Sequence, residues 1–268
     1  MFRLGFGFWK AIRLMLGGYF LLFFADLFTF PKELFTNEAL RPENAIINIH
    51  ISEVGIAVII FFGALASLSF LANFHARASA FSIWLALLLI IFLNPYIKEI
   101  QFDLLGWLLW FWIFFPSDVE KETSDAKLAL LFALAATYWI SGWAKLDSRF
   151  WRSGETLLFV QTISRFTWLS NFVENTTAAQ RSIAAGLIAG FQLLAGYGLA
   201  RGISAKLCWY ALGLFQIALL ASVHFEQVNL GVLIFQIATW PSLLIERPRL
   251  FKRVIDIALV FSLLAFLI

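Results

Sequence analysis

The segment 138–154, YWISGWAKLDSRFWRSG, carries a lysine at the end of an apolar run, one helical turn past a Ser-Gly pair and between tryptophans. Helical spacing of three and four residues puts Tyr138, Ser141, Gly142, Lys145 and Arg149 on one stripe, with Gly142 leaving room for a neighbouring helix or a ligand. An ammonium at such a depth is costly, and withdrawal from water favours the neutral amine, which can take a proton. Lys145 is therefore the candidate base. The same position suits an anchor whose stem lies in the apolar layer and whose head reaches water.

Other polar groups within apolar stretches are few. Glu53 opens the second stretch, and His224 stands in the turn SVHFEQVN. With the topology derived below, Glu53, His224 and Lys145 fall near the outer ends of their helices and are expected to converge on one outward-opening cavity. Each has a plainer reading: Glu53 as an N-terminal helix charge favoured by the dipole, His224 as a histidine capping a turn. Gln192 and Gln216 read as interhelical glue. Arg149 and Arg152 suit an anionic head group or substrate carboxylate, and equally a lipid phosphate. Trp107, Trp110, Trp112, Trp139, Trp143 and Trp151 read as an interfacial belt, and a flat quinone-like ligand would use the same rings. No metal site is expected, because His50, His75 and His224 are too scattered and Cys208 is the only cysteine. Gly-rich phosphate loops, HExxH and nucleophile elbows are absent, and the mid-membrane polar residues are too few for an ion path.

The elements that must hold these residues follow from composition. Apolar residues make up 61% of the 268 and charged residues 14%, against roughly 25% charged in soluble domains. We read an all-α, polytopic transmembrane helical bundle of about eight to nine helices, forming a single domain over 1–268. The spans centre on 11–27, 52–71, 78–93, 104–115, 128–144, 182–199, 207–223, 228–244 and 254–268. Between the fifth and sixth, 147–180 is too polar to span and too aromatic for a plain loop; FWRSGETLLFVQTISRF predicts an amphipathic or re-entrant segment roofing the bundle. Pro241 predicts a kink in the eighth span. Lysine and arginine placement, with IERPRLFKR the strongest vote, puts the N-terminus in the cytoplasm and Lys145 on the opposite side. MFRLGFGFWKAIRLML lacks a small-residue cleavage site and reads as a retained first helix. The basic residues are dispersed, so the partner is the lipid bilayer and not nucleic acid.

At the same segment, YWISGWAKLDSRFWRSG, the chain resembles the HTTM family, the membrane domain shared with vitamin K-dependent gamma-carboxylases. The first helix running into ADLFTFPKELF, the stretch FHARASAFSIWLALLLIIFLNPYIKEIQFDLLGWLLWFWIFFP and the stretch SVHFEQVNLGVLIFQIATWPSLL are similar to the family in order and spacing. In the carboxylases a lysine of a Gly-x-x-Lys-Leu-Asp-like segment is the base acting on vitamin K hydroquinone. The resemblance therefore implies that Lys145, followed by Leu146 and Asp147, is catalytic, and His224 matches a family histidine turn. Asn94-Pro95 stands where the carboxylases carry Asn-His, and the chain ends at Ile268 without their large extracytoplasmic domain, so glutamate carboxylation itself is not expected. A further branch of the family resembles membrane proteins that help mature a secreted sporulation-delaying toxin. The leading expectation is a bacterial inner-membrane protein that modifies or matures a lipid, quinone or exported polypeptide around Lys145, with Glu53, Tyr138, Ser141, Trp143, Arg149 and Trp151 as candidate ligand contacts from their placement around that lysine. The rival expectation is a non-catalytic subunit or assembly factor that packs against membrane partner subunits.

Overall fold

A computed structural model describes residues 6–29, 52–93, 100–114, 124–202, 204–224 and 226–245. Among them the chain is all-helical, and its helices group into two compact units, Met1–Glu122 and Thr123–Ile268. Six helices are long and apolar enough to cross a membrane. Their uncovered faces carry Leu187, Leu194, Leu207 and Leu214, and apolar faces of this extent require a hydrocarbon surrounding. The expected span 254–268, the Asn94-Pro95 turn and most of IERPRLFKR lie outside the described residues.

Unit 1 contains α1 (Phe6–Thr29), α2 (Glu53–Leu71), α3 (Ala76–Leu93) and α4 (Ile100–Phe114), each packed on the next. Gly63 lies against the Phe24 ring and Gly17 against Leu71, so α1 and α2 run antiparallel and touch where side chains are smallest. The core is aromatic. Trp9 stacks on Phe111 with centroids 5.1 Å apart, and Trp112 meets Phe70 edge-on at 5.6 Å. This corrects the belt expectation for Trp112, which is buried because Leu105, Leu108, Leu109 and Trp112 share the inward stripe of α4, whereas Trp107 is exposed. Arg13 is also buried in this unit.

Unit 2 contains α5 (Ser124–Asp147), α6 (Arg149–Arg152), α7 (Glu155–Ile163), α8 (Thr167–Glu174), α9 (Ala178–Arg201), α10 (Ala205–Ser222), α11 (Glu226–Ala238) and a 3-10 helix (Trp240–Leu244). Its principal pairing is α5 with α9. Gly142 sits against Ala189 and Leu193, while Gly196 sits against Ala135 and Trp139, a register that makes the two helices antiparallel. Gly202, left-handed at φ 84°, ends α9 and turns the chain into α10. The ends of α5 and α10 and the start of α9 therefore lie at one end of the unit.

The aromatic stretch after α5 closes that end as α6, α7 and α8. Gly154 turns the corner between α6 and α7 at φ 76°, a conformation that suits glycine, and any side chain there would strike Arg181 and Ser182 of α9. Ser182 Oγ donates to Arg152 O at 2.5 Å, and an antiparallel bridge joins Ser164 to Val223, with Arg165 N donating to Ser222 O and His224 N to Ile163 O. Pro241 acts as expected: α11 stops at Ala238 and continues as a tighter 3-10 turn, since proline has no N–H to donate to the carbonyl four residues back.

Candidate functional site

Lys145 lies in the last turn of α5 and is partly buried. Its Nζ donates to Ser141 Oγ at 2.5 Å and to Ser141 O at 3.4 Å, and sits 5.0 Å from the centroid of the Trp151 ring. Ser141 Oγ in turn donates to Oε1 of the buried Gln192 on α9 at 3.3 Å. An ammonium thus meets a hydroxyl, a carbonyl and a ring face, with no carboxylate beside it among the described residues. The helix C-terminal dipole favours its charge, and the indole face adds on the order of 0.5–2 kcal/mol depending on desolvation.

One turn deeper, Tyr138 is 3% exposed and its hydroxyl accepts a hydrogen bond of 2.9 Å from Gln216 Nε2 on α10. Gln216 Oε1 has no partner although it is buried. The polar stripe of α5 is therefore met by one glutamine from α9 and one from α10. Both bridge helices, as interhelical glue does. Chemically, Ser141 receives a proton-bearing donor from Lys145 and passes its own hydrogen to Gln192, so the group is a short, oriented relay ending in an amide.

The expected stripe holds for Tyr138, Ser141, Gly142 and Lys145 and stops there. Ser148 takes extended backbone (φ −67°, ψ 123°) as the cap of α6, which breaks the helical register; Arg149 is exposed and does not touch Lys145. The same break swings Trp151 over the ammonium, a contact that helical spacing does not predict. Trp143 is half-buried, two residues from Lys145 on the helix. The imidazole of His224 is exposed and is not among the Lys145 partners, while its backbone serves the bridge to Ile163. Glu53 belongs to unit 1, where it is exposed in the first turn of α2 behind the cap of Ser52 Oγ on Gly55 N.

A further buried cluster has no precedent in the sequence reading. Trp209 Nε1 donates to Gln236 O at 3.0 Å and to Thr239 Oγ1 at 3.1 Å, and Gln236 Nε2 donates to Trp209 O at 2.6 Å. A lone Gln in the eighth apolar stretch was its only signal. The cluster satisfies the backbone where α11 gives way to the 3-10 turn, and Gly213 of α10 leaves space for the Gln236 amide. Among the described residues no cluster of His, Cys, Asp and Glu could hold a metal ion.

Each unit holds a cavity among its described residues. One of about 460 Å³ lies between α2 and α3 in unit 1, lined by Phe62, Leu65, Phe74, His75 and Ser82 among others. The other, of about 550 Å³, lies in unit 2 between α7, α8, α9 and α10. Lys145 lines neither. No protein-family model, curated protein or solved structure matches this chain.

Proposed function

We propose that the protein is a bacterial inner-membrane bundle of the HTTM kind that modifies or matures a lipid, a quinone or an exported polypeptide, with Lys145 as the functional cation. The observation that carries this reading is the setting of Lys145: an ammonium without a carboxylate partner, held by Ser141 and Trp151 and backed by Gln192. A lysine whose charge is balanced only by neutral dipoles is the kind that can shed and recover a proton. Trp151, half-buried over the amine, offers one wall for a flat ligand. In this reading α4 and the α11–3-10 segment span alongside the six long helices, giving eight, and α6 to α8 lie at the outer interface, where exposed Phe150, Phe159, Trp168 and Phe172 enter the head-group layer.

A non-catalytic role is favoured by a different observation. The ammonium donates twice to Ser141 and lies over the Trp151 ring, and Lys145 lines neither the cavity of unit 1 nor that of unit 2 described above. In that view Lys145 fastens α6 to α5 and the protein serves as a subunit of a larger membrane assembly.

The test is Lys145→Met in a deletion strain. The catalytic reading expects normal protein amounts in the membrane with no complementation. Full complementation overturns it and leaves the scaffold, which mild-detergent copurification of partner subunits then supports.

A further inference from the structure

The cavity of about 550 Å³ in unit 2 is within the size of small-molecule sites and has two chemically distinct ends. Its body is apolar, formed by Leu157 and Val160 of α7, Leu169 of α8, Ile188 of α9, and Phe215 and Leu219 of α10. Asn175, Thr176, Gln180 and Arg181 line it where α8 turns into α9. Arg181 is the one charged side chain among the lining residues. Its terminal nitrogen donates to Thr176 O, which fixes the guanidinium in place, while its Nε is buried and has no partner.

A guanidinium fixed at the polar end of the hollow sets a positive charge against whatever fills it. Thr177 Oγ1 and Gln180 close the start of α9 by a reciprocal capping box, which holds this turn rigid beside the guanidinium. Phe172 lines the cavity and is 65% exposed, so the hollow reaches the molecular surface at α8. An apolar trough with one anchored cation at its end matches an anionic head on a long hydrocarbon tail.

We infer that this cavity binds a long-chain anionic amphiphile, its carboxylate or phosphate on Arg181 and its chain among Leu157, Val160, Leu169, Phe215 and Leu219. A free fatty acid and an anionic phospholipid share this chemistry. The inference does not rest on Lys145.

The experiment uses the full chain purified in a neutral maltoside detergent and a palmitic acid carrying a diazirine on its chain. Photolabelling is expected to map by mass spectrometry to peptides of α7, α8, α9 and α10. Ala184→Trp, which fills the hollow, should abolish labelling, and Arg181→Gln should weaken it at least roughly tenfold, as loss of a charge-assisted bond does. Arg181→Lys should restore part of it. Unlabelled palmitate outcompeting phosphatidylglycerol identifies a fatty acid, and the reverse order identifies a phospholipid. Competition by hexadecanol equal to that of palmitate, or labelling unchanged by Ala184→Trp, overturns the site. Lys145→Met should label like the parent, so failure of the catalytic reading leaves this one standing.

Discussion

The contacts made by individual side chains separate the groups that chemistry needs from those that packing needs. Tyr138, Ser141 and Lys145 share one polar stripe of an otherwise apolar helix, which is why three- and four-residue spacing reveals them. The Tyr138–Gln216 bond is a test of how much such a stripe contributes to stability. Tyr138→Phe should destabilise the purified protein by about 1–3 kcal/mol, because it leaves Gln216 Nε2 buried without a partner beside an oxygen that already lacks one. Adding Gln216→Leu should recover most of that loss, since removing both partners removes the unmatched donor. Thermal unfolding in detergent, arranged as a double-mutant cycle, reads the difference; purely additive losses would mean the bond is not made. The Trp151 contact could not be read in the same way. It depends on the backbone leaving helical geometry at Ser148, and no residue type there demands that break.

Helix packing in unit 2 depends on small residues at two crossings. A Cβ on Gly196 would stand 2.8 Å from Ala135 O and 3.0 Å from Trp139 N, both backbone atoms that cannot swing aside. Gly196→Val is therefore expected to force α5 and α9 apart and cost about 1–3 kcal/mol, the usual penalty of overpacking. Because Gln192 lies one turn from Gly196, the same change should also loosen its bond with Ser141. A melting temperature equal to the parent's would show that the helices do not cross there. Gly186 and Gly190 have open space around the missing side chain, so Gly186→Ala is the matched control and should be neutral or slightly stabilising. The sequence alone presents all these glycines of α9 alike; only the register of the antiparallel pair tells them apart.

For the molecule as a whole, six long apolar helices with leucine-rich outer faces set the surrounding medium, and the charge pattern sets the orientation proposed for them. In a Cys208→Ala background, a cysteine at Glu155 should react with a membrane-impermeant maleimide in intact cells, and one at Asp118 should resist it. The opposite pattern would invert the topology. What composition and spacing determined by themselves was the helical class, the apolar setting, the polar stripe of α5 and the break at Pro241, because each depends on residues within a few turns of one another along the chain. What only the tertiary structure decided was which glutamines meet that stripe, which tryptophan covers Lys145, that Trp112 enters a core, and that a hollow with Arg181 at its end lies among α7, α8, α9 and α10. Those outcomes turn on register between helices far apart in sequence and on one turn at Ser148. In a chain so uniformly apolar, many registers bury nearly the same surface, so hydrophobic pattern cannot choose between them and the close contacts of glycines and buried amides do.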